Sequence, residues 1–254
     1  MTPLLALAAA AAGASAVPPI CTDRPTKANA VCTVPAGKLQ LESSLASWSL
    51  TRAAGTRTRL MSLGSTAVKL GVTEKSDLQV GITPYIRLKV EGGKDAGGFG
   101  DIVVRFKQRL TNDGASVQVA VIPLLTLPTA ARGIGNDKVE GGLAVPVSFA
   151  LFGRMAMTFG PEVDLLTDGD GHGRHAAILN LVNIAGPIAQ RLTLAGELWT
   201  NINFDPDGTI MQASADAALS YSLSNNVQLD AGANIGLTRD TADAELYAGA
   251  SIRF

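Results

Sequence analysis

Histidine, cysteine, aromatic rings and net charge are all scarce in this sequence, and each scarcity removes a class of function. Its 254 residues include two histidines and two cysteines. His172 and His175 share one stretch, Asp168-Gly169-Asp170-Gly171-His172-Gly173-Arg174-His175. No Gly-x-Ser-x-Gly elbow occurs, and neither cysteine lies near a histidine in sequence, so no pattern for an activated nucleophile is present. The histidine stretch opens like a calcium loop, but His172 takes the third ligand position and Leu179 stands where the closing bidentate Glu belongs. Gly92-Gly93-Lys94 and Gly97-Gly98 lack the strand–glycine–helix setting of a phosphate cradle. We assign no catalytic residue, no metal and no cofactor from the sequence. A net charge of −1 gives no basic field for nucleic acid. Past the N-terminus no run of eighteen uncharged apolar residues occurs, which excludes a helical membrane span.

What is present begins with an apolar, alanine-rich stretch, 1–16, ending in Ala14-Ser15-Ala16. That is the pattern of a secretory leader cut before Val17, although Met1 is followed by no nearby Lys or Arg; an alanine-rich helix is the other reading. A polar, proline-containing segment, 17–37, follows and holds both cysteines. In an oxidising compartment Cys21 and Cys32 would close one short disulfide loop; otherwise they stay two free thiols. A lone pair lacks the ligand set of a structural zinc.

From Lys38 to Phe254 the chain keeps a two-residue period broken by turn-rich stretches. The pattern predicts strands near 38–50, 58–72, 77–88, 99–110, 116–127, 138–150, 154–166, 174–185, 190–202, 209–222, 226–237 and 244–254. Short connections (73–76, 111–114, 151–153, 186–189, 224–225) alternate with longer ones (51–57, 89–98, 128–137, 167–173, 203–208, 238–243). Within strands one face is charged and the other apolar: Asp77, Gln79, Thr83, Tyr85 and Arg87 oppose Leu78, Val80, Ile82, Pro84 and Ile86. A soluble sandwich turns such apolar faces inward and a membrane barrel turns them outward. The leader, the even strand number, the alternating connections and the C-terminus favour the barrel. Ala244–Phe254 is a strand whose edge needs a partner, and pairing with the first strand of a closed barrel supplies it. A terminal Phe of this kind resembles the signal by which outer-membrane barrels engage the barrel-assembly machinery. The expected fold is all-β: a single closed antiparallel transmembrane β-barrel of about twelve strands over 38–254, with short periplasmic turns and longer outer loops. Trp48, Trp199, Tyr221, Phe106, Phe149 and Phe159 are candidates for its interfacial girdles.

Thr22-Asp23-Arg24-Pro25, then Val34-Pro35-Ala36-Gly37-Lys38-Leu39-Gln40-Leu41-Glu42, resembles the opening of a family of proteobacterial outer-membrane proteins. That family is named for a MetA pathway of phenol degradation and often called simply transporters. Gly98-Phe99-Gly100-Asp101 and Leu127-Pro128-Thr129 extend the resemblance along the chain. It implies a barrel of the bacterial outer membrane that passes small molecules, aromatic or hydrophobic ones among them, without an enzymatic step. Its implied partners are outer-membrane lipid and the solutes, with no nucleic acid; it carries no defined binding residues. The alternative is a barrel with a sealed lumen that acts structurally or binds through its outer loops. Strand parity, independently, places Glu42, Asp77, Arg87, Asp101, Arg105, Lys107, Lys138, Glu140, Glu162, Asp164, Glu197, Asp216, Asp230, Glu245 and Arg253 on the inner face. They would line a water-filled path or pair into a network that fills it. Residues 17–37, with Asp23 and Arg24, are expected either to fold into the periplasmic mouth and narrow it or to hang from it as a disordered tail.

Overall fold

A computed structural model describes residues 18–53, 55–135 and 137–254; the leader expected over 1–16 lies outside them. Twelve antiparallel strands succeed one another around one sheet. They are β1 (Leu39–Ala53), β2 (Thr56–Thr73), β3 (Ser76–Ile82 continued by Tyr85–Val90) and β4 (Ala96–Gly98 continued by Ile102–Arg109). Next come β5 (Val117–Leu127), β6 (Glu140–Ala144 and Val147–Ala150), β7 (Ala156–Phe159 and Glu162–Thr167) and β8 (Arg174–Ala189). Then follow β9 (Leu192–Asn203), β10 (Ile210–Ser224), β11 (Val227–Gly236) and β12 (Ala244–Arg253). β12 pairs with β1 from Gln40↔Arg253 to Leu50↔Ala244, and the Phe254 N–H donates to Leu39 O at 2.8 Å. This closes the sheet, so no strand edge is left unpaired in an environment without water.

Prolines interrupt β3, β6 and β7 at Pro84, Pro146 and Pro161, because a proline has no N–H to give the ladder. Neighbouring backbone carries the wall across these breaks. Gly100 N–H donates to Thr83 O at 2.9 Å, Ala120 to Pro146 O at 3.1 Å, Val145 to Pro161 O at 2.9 Å, and Gly160 to Leu181 O at 3.1 Å.

Burial is inverted relative to a soluble domain. Among the described residues twenty polar or charged side chains are buried against ten hydrophobic ones, whereas Leu198, Ile235 and Leu246 are more than half exposed. A sandwich would show the reverse, so the ambiguity of the two-faced strands resolves toward the barrel.

Three connections differ from expectation. The outer loop expected at 51–57 is shorter, since Ala53 already pairs with Thr56 and Gly55 adopts a φ of 79°, the backbone that a tight hairpin demands. The turn expected at 186–189 lies inside β8; a bulge between Pro187 and Ala189 absorbs the proline, and the chain reverses at 190–191. Connection 110–116, at the end bearing the termini, is longer than the expected 111–114. Short and long connections therefore do not alternate throughout. The break at Pro84 has a larger consequence. Before it Asp77 and Gln79 are buried and Leu78 is exposed; after it Arg87 and Lys89 are exposed and Ile86 and Leu88 half-buried. The ladder from β2 keeps one register across the break, Thr66↔Ile82 and Leu63↔Tyr85. The faces therefore exchange without a slip, in step with the bulge between Ser44 and Ala46 of β1 and the φ of 69° at Gly64 of β2.

Replacing Leu198, outward near the middle of β9, by Arg should cost about 2–4 kcal/mol, the range for a cation on the lipid face near the midplane. Urea titration of folding into lipid vesicles reads the loss directly. The same change at Phe152, exposed in a connection, should leave the midpoint within about 0.5 kcal/mol.

Candidate functional site: the barrel interior and its N-terminal segment

Residues 18–38 run into the interior from the end that bears the termini. Arg253 donates to Pro18 O at 2.6 Å and Ile20 N–H to Asn225 O at 2.7 Å. Cys21 and Cys32 form a disulfide with a Cα–Cα distance of 6.2 Å, which makes the stretch between them a closed loop. The segment leaves along β2, where Gly37 N–H donates to Gly71 O at 2.9 Å. Two wall glycines permit this path. A Cβ on Gly71 would overlap the Pro35 carbonyl, and one on Gly249 would overlap the Arg24 guanidinium.

The contacts of this segment are mostly ionic and reach β1–β4 and β8–β12. Asp23 lies between two lysines of the wall: Lys107 Nζ is 2.6 Å away, and Lys69 pairs with the other oxygen. Lys69 also meets Glu42 at 2.5 Å, and Glu42 accepts from Asp23 N–H at 3.0 Å. Val34 N–H donates to Asp77 at 2.9 Å. Across the barrel the charges reverse. Arg24 meets Asp230 at 2.5 Å and lies over Tyr247 at 5.9 Å. Lys27 meets Asp216 at 2.5 Å and lies 5.1 Å from the Trp199 ring, a favourable cation–π setting. Glu197 accepts from the N–H groups of Lys27 and Ala28, each at 3.0 Å, and from Asn183 at 3.1 Å.

Above this segment lies a cavity of about 530 Å³. Asp23, Arg24, Thr26, Lys27 and Asn29 form its floor; Ser44, Thr66, Ile82, Val103, Arg105, Glu162, Leu181 and Trp199 are among its walls. Asp101 borders it and also accepts from Thr129 and Ala130 N–H, each at 2.8 Å, so it holds the base of outer connection 128–139. Glu140 accepts from Thr167 N–H at 2.9 Å, and Glu245 from Asn234 at 2.9 Å.

Of the charges placed by parity, Glu42, Asp77, Lys107, Glu140, Glu197, Asp216, Asp230 and Arg253 are buried, and Asp101, Arg105, Glu162, Asp164 and Glu245 half-buried. Two stand elsewhere. Arg87 is exposed on the outer face after the exchange of faces at Pro84, and Lys138 is exposed in the connection before β6. Trp199, a girdle candidate by sequence, faces inward over Lys27, whereas Phe149 and Phe159 stack at 5.9 Å with Phe159 exposed. Parity reasoning missed Lys69 and Lys27. Lys69 was legible on the parity of Ser65 and Ala67, a parity that Arg57 and Arg59 share in sequence; Lys27 precedes any strand and has no period to place it. The two histidines do different things. His172 is exposed, while His175 is buried with Nδ1 2.8 Å from Asp168. Among the described residues no cluster of three potential metal ligands forms.

A family profile described as "Putative MetA-pathway of phenol degradation" matches residues 22–254, N-terminal segment included. The chain belongs to that family. Among solved structures it resembles the COG4313 outer membrane channel from Pseudomonas putida F1 at 14% identity and a TM-score of 0.71, covering 88% of this chain and 98% of that one. The translocator domain of autotransporter NalP from Neisseria meningitidis is similar at 12% identity and a TM-score of 0.59, over 87% and 90% of the chains. The CymD monoaromatic hydrocarbon channel follows at 10% and 0.50, over 87% and 88%. At such identities the shared property is the fold. No curated protein matches the sequence. With this fold, an aliphatic outer wall and a polar interior, the family member described here sits in the bacterial outer membrane.

Burial alone would raise the Asp23 carboxyl, but the ammonium groups of Lys107 and Lys69 and the hydrogen bonds they donate outweigh it and hold the group below the usual carboxylate range. A carboxyl lowered by folding stabilises at pH values above its unfolded pKa of about 3.8, and that contribution is lost as pH falls through the folded value. In a Trp48→Phe background, fluorescence of Trp199 should therefore stay constant from pH 8 to pH 4. Lys69→Met leaves Asp23 and Glu42 short of a cation, should cost about 3–5 kcal/mol, and should move acid release of the segment to higher pH in the same titration.

Proposed function

We propose that this protein is a non-enzymatic diffusion channel of the outer membrane for small, largely neutral molecules with an aromatic part. The observation that carries the reading is the cavity of about 530 Å³, floored by residues 23–29 inside a closed barrel. Its size falls in the range that encloses small organic ligands. Its lining mixes Ile82, Val103, Leu181 and Trp199 with hydroxyl groups of Ser44, Thr66 and Thr83 and with charges of both signs. Of these charges Asp23, Arg24, Lys27, Glu42 and Lys69 are held in ion pairs, and that mixture supports a ring bearing a hydroxyl over a strongly charged ion. Family membership supports phenol-like solutes, as does similarity to a structure titled a monoaromatic hydrocarbon channel.

In this reading 1–16 is a leader, 17–37 a lumen segment and 38–254 the barrel. The buried and half-buried charges named above line the passage, with Asp23 and Arg24 at its constriction and the Cys21–Cys32 bond keeping the constriction compact. Phe254, more than half exposed at the barrel rim, is the contact for the assembly machinery. The ionic ring around residues 23–28 also suits the sealed barrel, and one experiment separates the two readings.

Refolded protein in planar bilayers should give small discrete steps absent from a boiled control, and a variant lacking 18–36 should give larger ones. Vesicles bearing the intact protein should take up phenol faster than benzoate. Silence from protein with folded-barrel gel mobility, together with no uptake of phenol, would establish the sealed barrel instead.

A further inference from the structure

Outside the lumen, the outward face of β1–β3 carries a cluster of cations. At the end opposite the termini Arg52 stands directly across from Arg57, and Arg59 directly across from Lys89. Arg87 is two residues from Lys89 on the same face. Like charges directly opposed on a sheet repel. Arg57 has Glu91 at 3.9 Å and Arg52 has Asp243 at 4.0 Å, all with exposed side chains. Arg59, Arg87 and Lys89 are exposed and meet no carboxylate among the described residues.

The position of this cluster along the wall names its counter-ion. Leu246, Trp48, Met61 and Arg87 form one cross-strand row on the outer face, and Ala244, Leu50, Arg59 and Lys89 the next row outward. Leu63 and Tyr85, exposed and paired, lie one row inward. The cations thus begin where the aliphatic and aromatic belt ends, at the headgroup level of the outer leaflet. Guanidinium forks at that depth match phosphate oxygens in charge and geometry, and the belt below offers apolar surface to acyl chains. We infer that Arg59, Arg87 and Lys89 form a binding site for a phosphate-bearing glycolipid of the outer leaflet. The lipid supplies the counter-charge that the protein withholds. The site does not depend on the channel reading, since it lies on the opposite face of the wall.

The test uses folded full-length protein in detergent micelles titrated with diphosphoryl lipid A and followed by native mass spectrometry. The expected result is retained lipid on the wild type and about a hundredfold weaker binding by Arg59→Gln/Arg87→Gln/Lys89→Gln. A charge-matched variant at exposed loop positions, Lys94→Gln/Arg132→Gln/Arg239→Gln, should bind as wild type. Lipid stripped of both phosphates should bind the wild type as weakly as the triple variant binds the intact lipid. Equal loss in both triple variants would reduce the effect to net charge and overturn the site. Equal binding of phosphorylated and dephosphorylated lipid would overturn it too, as would full displacement of the lipid by millimolar inorganic phosphate, which would mark a free-anion site. Because all three side chains are exposed, folding is checked by heat-modifiable gel mobility, and the dephosphorylated lipid tests the wild type alone.

Discussion

Glu197 and Asp216 face the interior as direct cross-strand partners, and the cation that reconciles them is not on the wall. Lys27, from the N-terminal segment, supplies it, while Arg24 does the same for Asp230 on the next strand. On the other side Lys69 and Lys107 bring two buried ammonium groups toward each other, and Asp23 neutralises both. In the empty barrel β9–β11 would carry carboxylates without these cations, while on β2 and β4 Lys69 would keep Glu42 and Lys107 would lose its ion pair with Asp23. The segment carries the complementary pattern, acid toward one side and base toward the other. Uncompensated buried charges cost several kcal/mol each, so the segment has one rotational setting that satisfies both sides. The disulfide keeps the acid, the bases and Val31 within one small loop, which limits the ordering entropy of a stretch without secondary structure.

The wall is arranged around that occupant. Gly71 and Gly249 lie where the segment's backbone and guanidinium approach most closely, and a side chain at either would displace them. Val31 and Val34 are among the few buried hydrophobic side chains, together with Ala120, Ile122 and Ala144 of β5 and β6. Ion pairs and hydrogen bonds to β1–β4 and β8–β12 thus fix the segment laterally, and Val31 and Val34 are buried with it. Closure of β1 onto β12 holds the opposing charges at a fixed distance; an open sheet could relax them apart.

Strand number, strand faces and the closing strand were legible because lipid and a closed backbone ladder impose strict period-two alternation. The alternation failed where backbone chemistry intervened. The faces of β3 exchange at the Pro84 break, in step with a bulge in β1, and turn Arg87 outward, Gly55 tightened a hairpin that composition made long, and a bulge let Pro187 remain inside a strand. The wall half of the interior network could be read as charges of correct parity. The other half could not, because Asp23, Arg24 and Lys27 lie in a stretch without periodicity, and only three-dimensional proximity pairs them with strands some 20 to 200 residues away. Trp199 illustrates the same limit: an aromatic in a barrel strand suits either an interfacial girdle or a cation on the inside, and the choice depends on a partner that sequence does not place.

The proposed channel has a constraint on how it opens. Withdrawing the segment would leave Glu197, Asp216 and Asp230 without cations and Lys69 and Lys107 without Asp23, a loss of several buried pairs at once. Thermal motion does not cross such a barrier on the time scale of solute passage. The cavity suggests another route, since it extends past the segment to Ala144, Pro146, Gly160 and Glu162 on the β6 and β7 side. The ion pairs of residues 23–28 lie on other strands, and the side chains here are mostly small. A solute moving along β6 and β7 would displace water and small side chains and leave the ionic ring whole. In the proposed channel the segment would act as a fixed constriction that selects by size and charge, and the proline breaks in β6 and β7, where the ladder is interrupted, would flank the side of the lumen left to solutes.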